Sequence, residues 1–379
     1  MMTTEPDDHQ IPPVRTRPSR TDLLGLGPED FSCRVGTAME AHGEPAYRTE
    51  QLRRWVFDRK VRSLDEATTL PKELRSVLRS EFSLTPLEPA HVARSRDGTV
   101  KHLWRLEDGE HIESVLIPTS DRLTLCLSSQ AGCALGCLFC ATGHFGFRRQ
   151  LSAAEIAAQF RDAARFARSE WARAVDNVVF MGMGEPLANL EAVHGSLDVL
   201  HGGFGVGARR ITVSTVGLVP GILELARRSE QFGLAVSLHA PDHDLRARLM
   251  PIERRYPLPE LFEAIREYAR LRGRRITFEY TLIDGVNDAT TLAGQLASLL
   301  RGLSAFVNLI PLNPIPHVDW QPSPPERVAA FAETLRARGV EAAVRTPRGR
   351  DIAAACGQLR LESDQGADSR NGTSGLEPR

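Results

Sequence analysis

From about residue 122 the chain alternates short apolar runs with amphipathic segments, and this constrains its fold more than any other feature. The runs are LTLCLS (123–128), NVVFMG (177–182), RITVST (210–215), LAVSLH (234–239), ITFEYTLI (276–283) and FVNLIPL (306–312). They lack the apolar–polar alternation of a half-exposed strand, which marks strands buried on both faces in a parallel sheet. The segments between them read as helices. SAAEIAAQFRDAARFA opens with a capping box of Ser152 and Glu155. LPELFEAIREYARLRG is a second helix, and PPERVAAFAETLRARG, a third, begins with prolines and stops at Gly339. A further strand, VEAAVRT, follows. Six β/α repeats predict an α/β fold whose parallel sheet curls into a partial or complete barrel. In a barrel, the C-terminal ends of the strands carry the chemistry.

The flanks differ from this core. Residues 21–87 read as a small helical domain: Leu52, Trp55, Val56 and Leu64 recur at roughly helical spacing, and Pro71 opens the helix PKELRSVLRSEF. Residues 88–121 read as a β-hairpin extension, with Asp97-Gly98 and Asp108-Gly109 as turns. The core itself spans 122–360. Residues 1–20 and 361–379 are expected to be disordered tails, being rich in polar residues without apolar periodicity.

No run approaches the roughly 20 apolar residues that cross a bilayer, and the acidic-then-basic N-terminus lacks the apolar centre of a secretory signal. A cytoplasmic location and no membrane partner are expected. The formal net charge of −1 excludes a protein that coats nucleic acid by bulk charge, but not one with a local basic patch. Only Lys60, Lys72 and Lys101 are lysines; the other cations are arginines.

Six cysteines narrow the chemistry: Cys33, Cys126, Cys133, Cys137, Cys140 and Cys356. Clustered cysteines in a chain of this size point to metal binding or catalysis rather than a disulfide scaffold. Cys133, Cys137 and Cys140 form C-x3-C-x2-C directly after the first strand run. Three thiolates so spaced can hold three irons of a [4Fe–4S] cluster and leave the fourth open to a small molecule. A zinc site completed by His144 is the other reading, and buried thiols are a third.

A C-x3-C-x2-C loop after the first strand of a β/α barrel resembles the radical S-adenosylmethionine enzymes. The likeness extends further. CLSSQAGCALGCLFCATG, FMGMGEPLAN, ITVSTVGLVP, AVSLHAPD, LMPIERRYPL, EYTLIDGVND, VNLIPLNPIP and RGRDIAAACGQL, in order from about Tyr47 to Leu359, resemble the RlmN family of dual-specificity RNA methyltransferases. The resemblance implies a partial (β/α)6 TIM-type radical S-adenosylmethionine barrel. It implies one [4Fe–4S] cluster on Cys133, Cys137 and Cys140, and two S-adenosylmethionines per turnover. Gly184, Glu185, Ser214, Ser237, Leu238, His239 and Asn313 would bind that cofactor. Cys356 would take a methyl group, and a radical made from the second S-adenosylmethionine would remove a hydrogen from it. The resulting methylene radical would add to C2 of an adenine. Cys126 would resolve the protein–RNA adduct, ending in a Cys126–Cys356 disulfide, and Glu113 would accept the C2 proton. Without the resemblance, Glu113 reads as a surface-facing strand residue. Cys33 matches none of these roles.

The implied partners are 23S ribosomal RNA at adenine 2503, transfer RNA at adenine 37, and an electron donor such as flavodoxin, with the chain acting as a monomer. Methylation at C8 of the same adenine, as in the related Cfr enzymes, shares the cluster and both catalytic cysteines. A non-enzymatic RNA-binding protein carrying zinc or a cluster is a further alternative. Residues 246–275 hold nine arginines against four glutamates, and Arg148, Arg149, Arg209 and Arg210 add to a candidate phosphate-binding surface. So do Arg48, Arg53, Arg54 and Arg59 of the helical domain. A solvated face of Glu–Arg pairs is the competing reading. Arg350 stands beside Cys356 where the family often has an acidic residue.

Overall fold

The protein is described by a computed structural model covering residues 20–316 and 318–359. All but the last residue of the expected tail at 1–20, and the whole of that at 361–379, lie outside the described residues.

One ten-stranded sheet organises the molecule, and its strands lie in the order in which the chain makes them. They are β1 (Glu88–Arg94), β2 (Val100–Arg105), β3 (His111–Pro118), β4 (Leu123–Cys126), β5 (Asn177–Phe180), β6 (Ile211–Thr215), β7 (Gly233–Ser237), β8 (Ile276–Leu282), β9 (Ala305–Pro311) and β10 (Glu341–Val344). From β4 to β10 every neighbour is parallel. The pattern of fully buried runs therefore identifies this half of the sheet. β10, the VEAAVRT run, pairs with β9 at one edge.

The hairpin region is not a separate layer. The turns fall at Gly98 (φ +86°) and Gly109 (φ +90°), as expected. However, β3 pairs antiparallel with β4, Val115 opposite Cys126 and Leu116 opposite Leu125. Strands β1–β3 thus continue the barrel sheet. Residues directly opposite in such a pair share a face, so Glu113, Val115 and Ile117 point the same way as Cys126.

Helices cover the outside. The helix Ala153–Trp171 starts with both hydrogen bonds of the Ser152–Glu155 capping box. Leu258–Arg272 ends at Gly273 in the left-handed region, whose N–H closes on Ala269. The helical domain packs Phe31, Val35, Met39, Leu52, Val56, Phe57, Leu74 and Leu78 inward, in one continuous core with the barrel. Phe57 meets the barrel's Phe204 edge-on at 5.3 Å, and Phe204 in turn meets Phe160 at 4.9 Å. Burial of several such aromatics contributes about 2 kcal/mol each, so this domain is fastened to the barrel by apolar packing.

Candidate active site

The cysteine loop is shaped by its glycines and by a short ribbon. Gln130–Gly132 pairs antiparallel with Phe147–Gln150, bringing the two ends of the loop together. At Gly132 (φ +80°) a Cβ would lie 1.8 Å from the Gly146 carbonyl oxygen, so only glycine fits. Inside the loop Cys140 N–H donates to Cys137 (3.1 Å), and a short helix, Ala141–Phe145, follows.

All three cysteines line one open cavity of about 980 Å³, solvent at its mouth included. Its other walls are the C-terminal strand ends: Met181, Gly182, Gly184 and Glu185 after β5, Ser214 and Thr215 on β6, Ser237 and His239 at β7, Thr281 and Glu279 on β8, and Asn313 after β9. Cys356 closes the cavity from beyond β10. The cluster loop and Gly184, Glu185, Ser214, Ser237, His239 and Asn313 thus line one cavity at the C-terminal side of the strands. Leu238 is the exception among the cofactor candidates: its side chain is in the hydrophobic core, and its carbonyl accepts from Arg246 Nε at 3.3 Å.

The two glycines after β5 do more than admit a ligand. A Cβ on Gly182 would reach within 2.6 Å of the Leu127 carbonyl, and one on Gly184 within 2.4 Å of the Gln130 side chain. The close approach is to the chain leaving β4. Gln130 Oε1 accepts the Glu185 N–H at 2.8 Å, which ties the cluster loop to the carboxylate beside it.

Glu185 is buried, and burial raises its pKa to about 7. Backbone N–H groups of Leu187 (3.0 Å) and Val216 (2.9 Å) donate to its two oxygens and fix its plane. His239 Nδ1 accepts from Thr281 N–H at 2.9 Å. Burial, helped by nearby Arg246, pushes His239 down to about 3, so the imidazole stays neutral.

The donor set fits an iron–sulfur cluster. Burial pushes the Cys133 thiol up to about 11 and raises Cys137 and Cys140 as well, so without metal these groups hold their protons. Bound iron displaces the protons and supplies the charge that burial otherwise opposes. Three thiolates that each take a separate iron leave the fourth iron open, whereas a closed zinc site needs a fourth protein ligand. His144, the fourth zinc ligand of that alternative, spends Nε2 on the Leu138 carbonyl at 2.8 Å.

A second cavity, of about 520 Å³, adjoins the first and shares Met181, Ile310, Asn313 and Cys356 with it. Cys126, Val115, Ile117, Arg345 and Arg348 are among its other lining residues. Cys126 is buried, and burial together with the neighbouring Cys356 charge pushes its thiol up to about 12, while Arg345 draws it back. Arg345 itself is raised, chiefly by Cys356. The two cysteines assigned to methyl relay thus face one chamber.

The loop with Cys356 is pinned on both sides. Gly357 O accepts from Ala141 N–H at 2.7 Å, and Leu359 O from Thr142 Oγ1 at 2.7 Å, both in the cluster segment. Arg350 Nε donates to Asn313 Oδ1 at 2.8 Å, and Asn313 Nδ2 to the Cys356 carbonyl at 3.1 Å. The departure at Arg350 therefore has a structural task, orienting the Asn313 amide.

Glu113 is not surface-facing. It is 1% exposed and forms an ion pair with Lys101 Nζ at 2.9 Å. The arginine surface also contracts. Arg246 is fully buried against Glu253, and Arg270, Arg272 and Arg274 are held by Glu267, the Arg228 carbonyl and the Gln231 carbonyl. Arg149 pairs with Asp108 and Glu155, Arg48 with Glu44, and Arg53 and Arg54 with Glu50. Arg148, Arg248, Arg254 and Arg255 remain exposed on the segments flanking the cluster loop.

Sequence reasoning passed over Gln130, Glu279, Arg345 and Lys101. Glu279 carried a signal, since a carboxylate inside the run ITFEYTLI has no place in a purely apolar strand. Its Oε1 accepts from Asn308 at 3.0 Å, and burial raises its pKa.

Comparison with known proteins agrees with this geometry. Residues 127–293 match the radical SAM superfamily, and residues 22–84 match the ribosomal RNA large subunit methyltransferase N-terminal domain. A crystal structure of a radical SAM methyltransferase from Sphaerobacter thermophilus is similar with a TM-score of 0.85 and 50% identity, covering 90% of this chain and 99% of that one. The fold and site therefore define a radical S-adenosylmethionine methyltransferase, a class that uses a [4Fe–4S] cluster and S-adenosylmethionine.

The particular family follows from full-length relatives. The probable dual-specificity RNA methyltransferase RlmN of Gemmatimonas aurantiaca is 52% identical over 343 residues, 90% of this chain and 93% of its own. The dual-specificity RNA methyltransferase RlmN of Anaeromyxobacter is 47% identical over 364 residues, 94% of this chain and 95% of its own. The chain belongs to the RlmN family.

Proposed function

We propose that this enzyme methylates C2 of an adenine in RNA, with 23S ribosomal RNA and transfer RNA as its two substrates. One observation carries the reading: Cys356 lies in the wall common to the two cavities, with the cluster cysteines on one side and Cys126 on the other. A group on its sulfur would meet the cofactor chamber and the second chamber without a large movement.

The cluster and S-adenosylmethionine, when bound, supply one-electron chemistry that removes a hydrogen from an unactivated methyl group. The residues of the chain do the rest. Glu185, Ser214, Ser237, His239 and Asn313 hold the cofactor against the strand ends. His239, kept neutral, adds no positive charge beside a sulfonium.

With S-adenosylmethionine bound, the Cys356 thiolate, faced by Arg345, would take the sulfonium methyl, and S-adenosylhomocysteine would leave with the electron pair of the broken C–S bond. Adenine C2 is electrophilic, so it accepts carbon from a radical and not by ordinary sulfonium transfer. Glu113 accepts the C2 proton, and the one electron left on the ring would be taken up by the cluster, when bound, so that the adduct is closed-shell. Cys126 then attacks the Cys356 sulfur. The S–S bond forms, the S–CH2 bond breaks, and its electron pair stays on the methylene carbon, which takes a proton to become methyl. The exposed arginines Arg148, Arg248, Arg254 and Arg255 meet phosphates around an adenine turned out of its stack.

The test is nucleoside mass spectrometry of ribosomal and transfer RNA treated with reconstituted enzyme. 2-Methyladenosine in both RNAs is expected. 8-Methyladenosine in its place would overturn the C2 assignment, and a methyl group confined to one RNA would remove the other as a substrate.

A further inference from the structure

Lys101 is one of three lysines in the chain and is 4% exposed on β2. It has no place in the reaction as assigned above. Its ammonium group makes two contacts that join distant parts of the site. Nζ lies 2.9 Å from Glu113 Oε1 on β3, and it donates to the Ala353 carbonyl at 3.2 Å. Ala353 belongs to the loop that carries Cys356 and sits in the left-handed region at φ +48°, a conformation unfavourable for a residue with a Cβ.

The surrounding contacts form a junction between hairpin and loop. Ser95 Oγ and Arg96 N–H, in the turn between β1 and β2, donate to Asp351 at 2.6 and 3.1 Å. Gly349 N–H donates to Asp97 Oδ2 at 2.9 Å. A Cβ on Gly349 would press within 2.9 Å of Thr99, so the loop and the turn are in van der Waals contact. The Asp351 contacts are exposed and the Gly349–Asp97 bond is partly buried, whereas Lys101 is buried and carries the ion pair to Glu113.

We propose that Lys101 is a positioning residue for the resolving half of the reaction: it holds the Glu113 carboxylate against the loop that presents Cys356. This rests on the reading of Glu113 and Cys356 given above. Lys101 is a charged contact of the Glu113 carboxylate; without it the buried carboxylate is costlier to keep ionised, so less of the enzyme holds Glu113 in the unprotonated form that can take the C2 proton. Methylation of Cys356 needs no proton from RNA and does not use Glu113. The two halves of the reaction therefore respond differently to Lys101.

The experiment compares wild type, Lys101→Met and Lys101→Arg as full-length, cluster-reconstituted enzymes. Each is assayed for methyl-Cys356 by peptide mass spectrometry, for covalent protein–RNA adduct on denaturing gels, and for methyladenosine release. In Lys101→Met, methyl-Cys356 is expected at wild-type level, adduct accumulates, and release falls on the order of 100-fold, the scale of a lost general base. Lys101→Arg, which keeps the charge, is expected to recover at least about tenfold over Lys101→Met. Should Lys101→Met not fold, Lys101→Gln, which keeps a donor for the Ala353 carbonyl without the charge, is expected to show the same adduct. Release within twofold of wild type in the neutral variant, loss of methyl-Cys356 along with release, or no recovery by arginine would each overturn the proposal. Failure of the wild-type enzyme itself to carry methyl-Cys356 would instead overturn the functional reading.

Discussion

The two chambers that meet at Cys356 are built in different ways. The cofactor chamber is assembled from successive strand ends, each carrying a short contiguous motif, and much of its precision is backbone. Glu185 is held by two N–H groups, and the cluster loop is closed by a glycine that no other residue could replace. The second chamber has no motif of its own. Its walls come from β3, β4, β5, β9 and the loop after β10, and they are joined by side chains. A chamber made of backbone tolerates little change and fails completely; one joined by side chains can lose a single chemical step and keep the others.

That contrast can be broken most sharply at the cysteines. Cys133→Ala should abolish iron–sulfur absorption and reductive cleavage of S-adenosylmethionine together, measured by visible spectroscopy and by release of 5′-deoxyadenosine. Cys126→Ala should leave both intact, while covalent protein–RNA adduct persists and methyladenosine falls on the order of 100-fold or more. Retained product with no adduct in Cys126→Ala would reassign that residue.

A smaller effect concerns pH. Burial holds the resting Cys126 thiol at about 12, so its thiolate is scarce near neutrality. Alkylation of Cys356 in the adduct removes one of the two causes of that shift. Thiolate attack on isolated adduct should speed up roughly tenfold per unit from pH 7 to 9, until the thiol is ionised. A flat profile in adduct decay would mean that proton loss from Cys126 does not precede the slow step.

On the cofactor side, Glu185→Gln tests how far the backbone clamp matters. A carboxamide accepts at one oxygen only, so its NH2 would face a backbone N–H. We expect a loss of about 1–3 kcal/mol in chemical denaturation and about tenfold weaker binding of S-adenosylmethionine by calorimetry. Unchanged affinity would detach Glu185 from the cofactor.

The smallest effect lies behind the second chamber. His102 is buried with no hydrogen-bond partner on either ring nitrogen and stacks on Trp104 at 4.8 Å. Burial, with Arg94 nearby, depresses it to about 4. Between pH 6.5 and 4 the unfolded chain takes up a proton that the folded imidazole does not, so stability falls as pH falls through that window. His102→Phe keeps the stack, should gain about 1 kcal/mol at neutral pH, and should flatten the acid limb in melting scans. An unaltered pH dependence would place that sensitivity elsewhere.

The two chambers also differ in how legible they were. Gly184, Glu185, Ser214 and the cysteine triplet stand at strand ends, and buried parallel strands are recognisable as apolar runs, so both the fold and the position of each group followed from local pattern. Glu113 carried the opposite signal. Alternation on a hairpin strand suggests an exposed face, yet β3 continues the barrel sheet, and that face is covered by the loop after β10. The arginines failed in the same way: charge counted along residues 246–275 cannot distinguish Arg248, which is exposed, from Arg246, which is buried against Glu253.

By itself the sequence determined the alternating strands and helices, the cluster triplet, and the groups that stand at the strand ends, because each of these is encoded within a few neighbouring residues. Only the tertiary structure decided which residues, far apart in the chain, share a wall. It set Cys126 and Cys356 across one chamber, turned Arg350 onto Asn313, and placed Lys101 between Glu113 and Ala353. The physical reason is that such contacts depend on strand pairing and on burial by a distant loop, and neither leaves a periodic trace in the segments that it brings together.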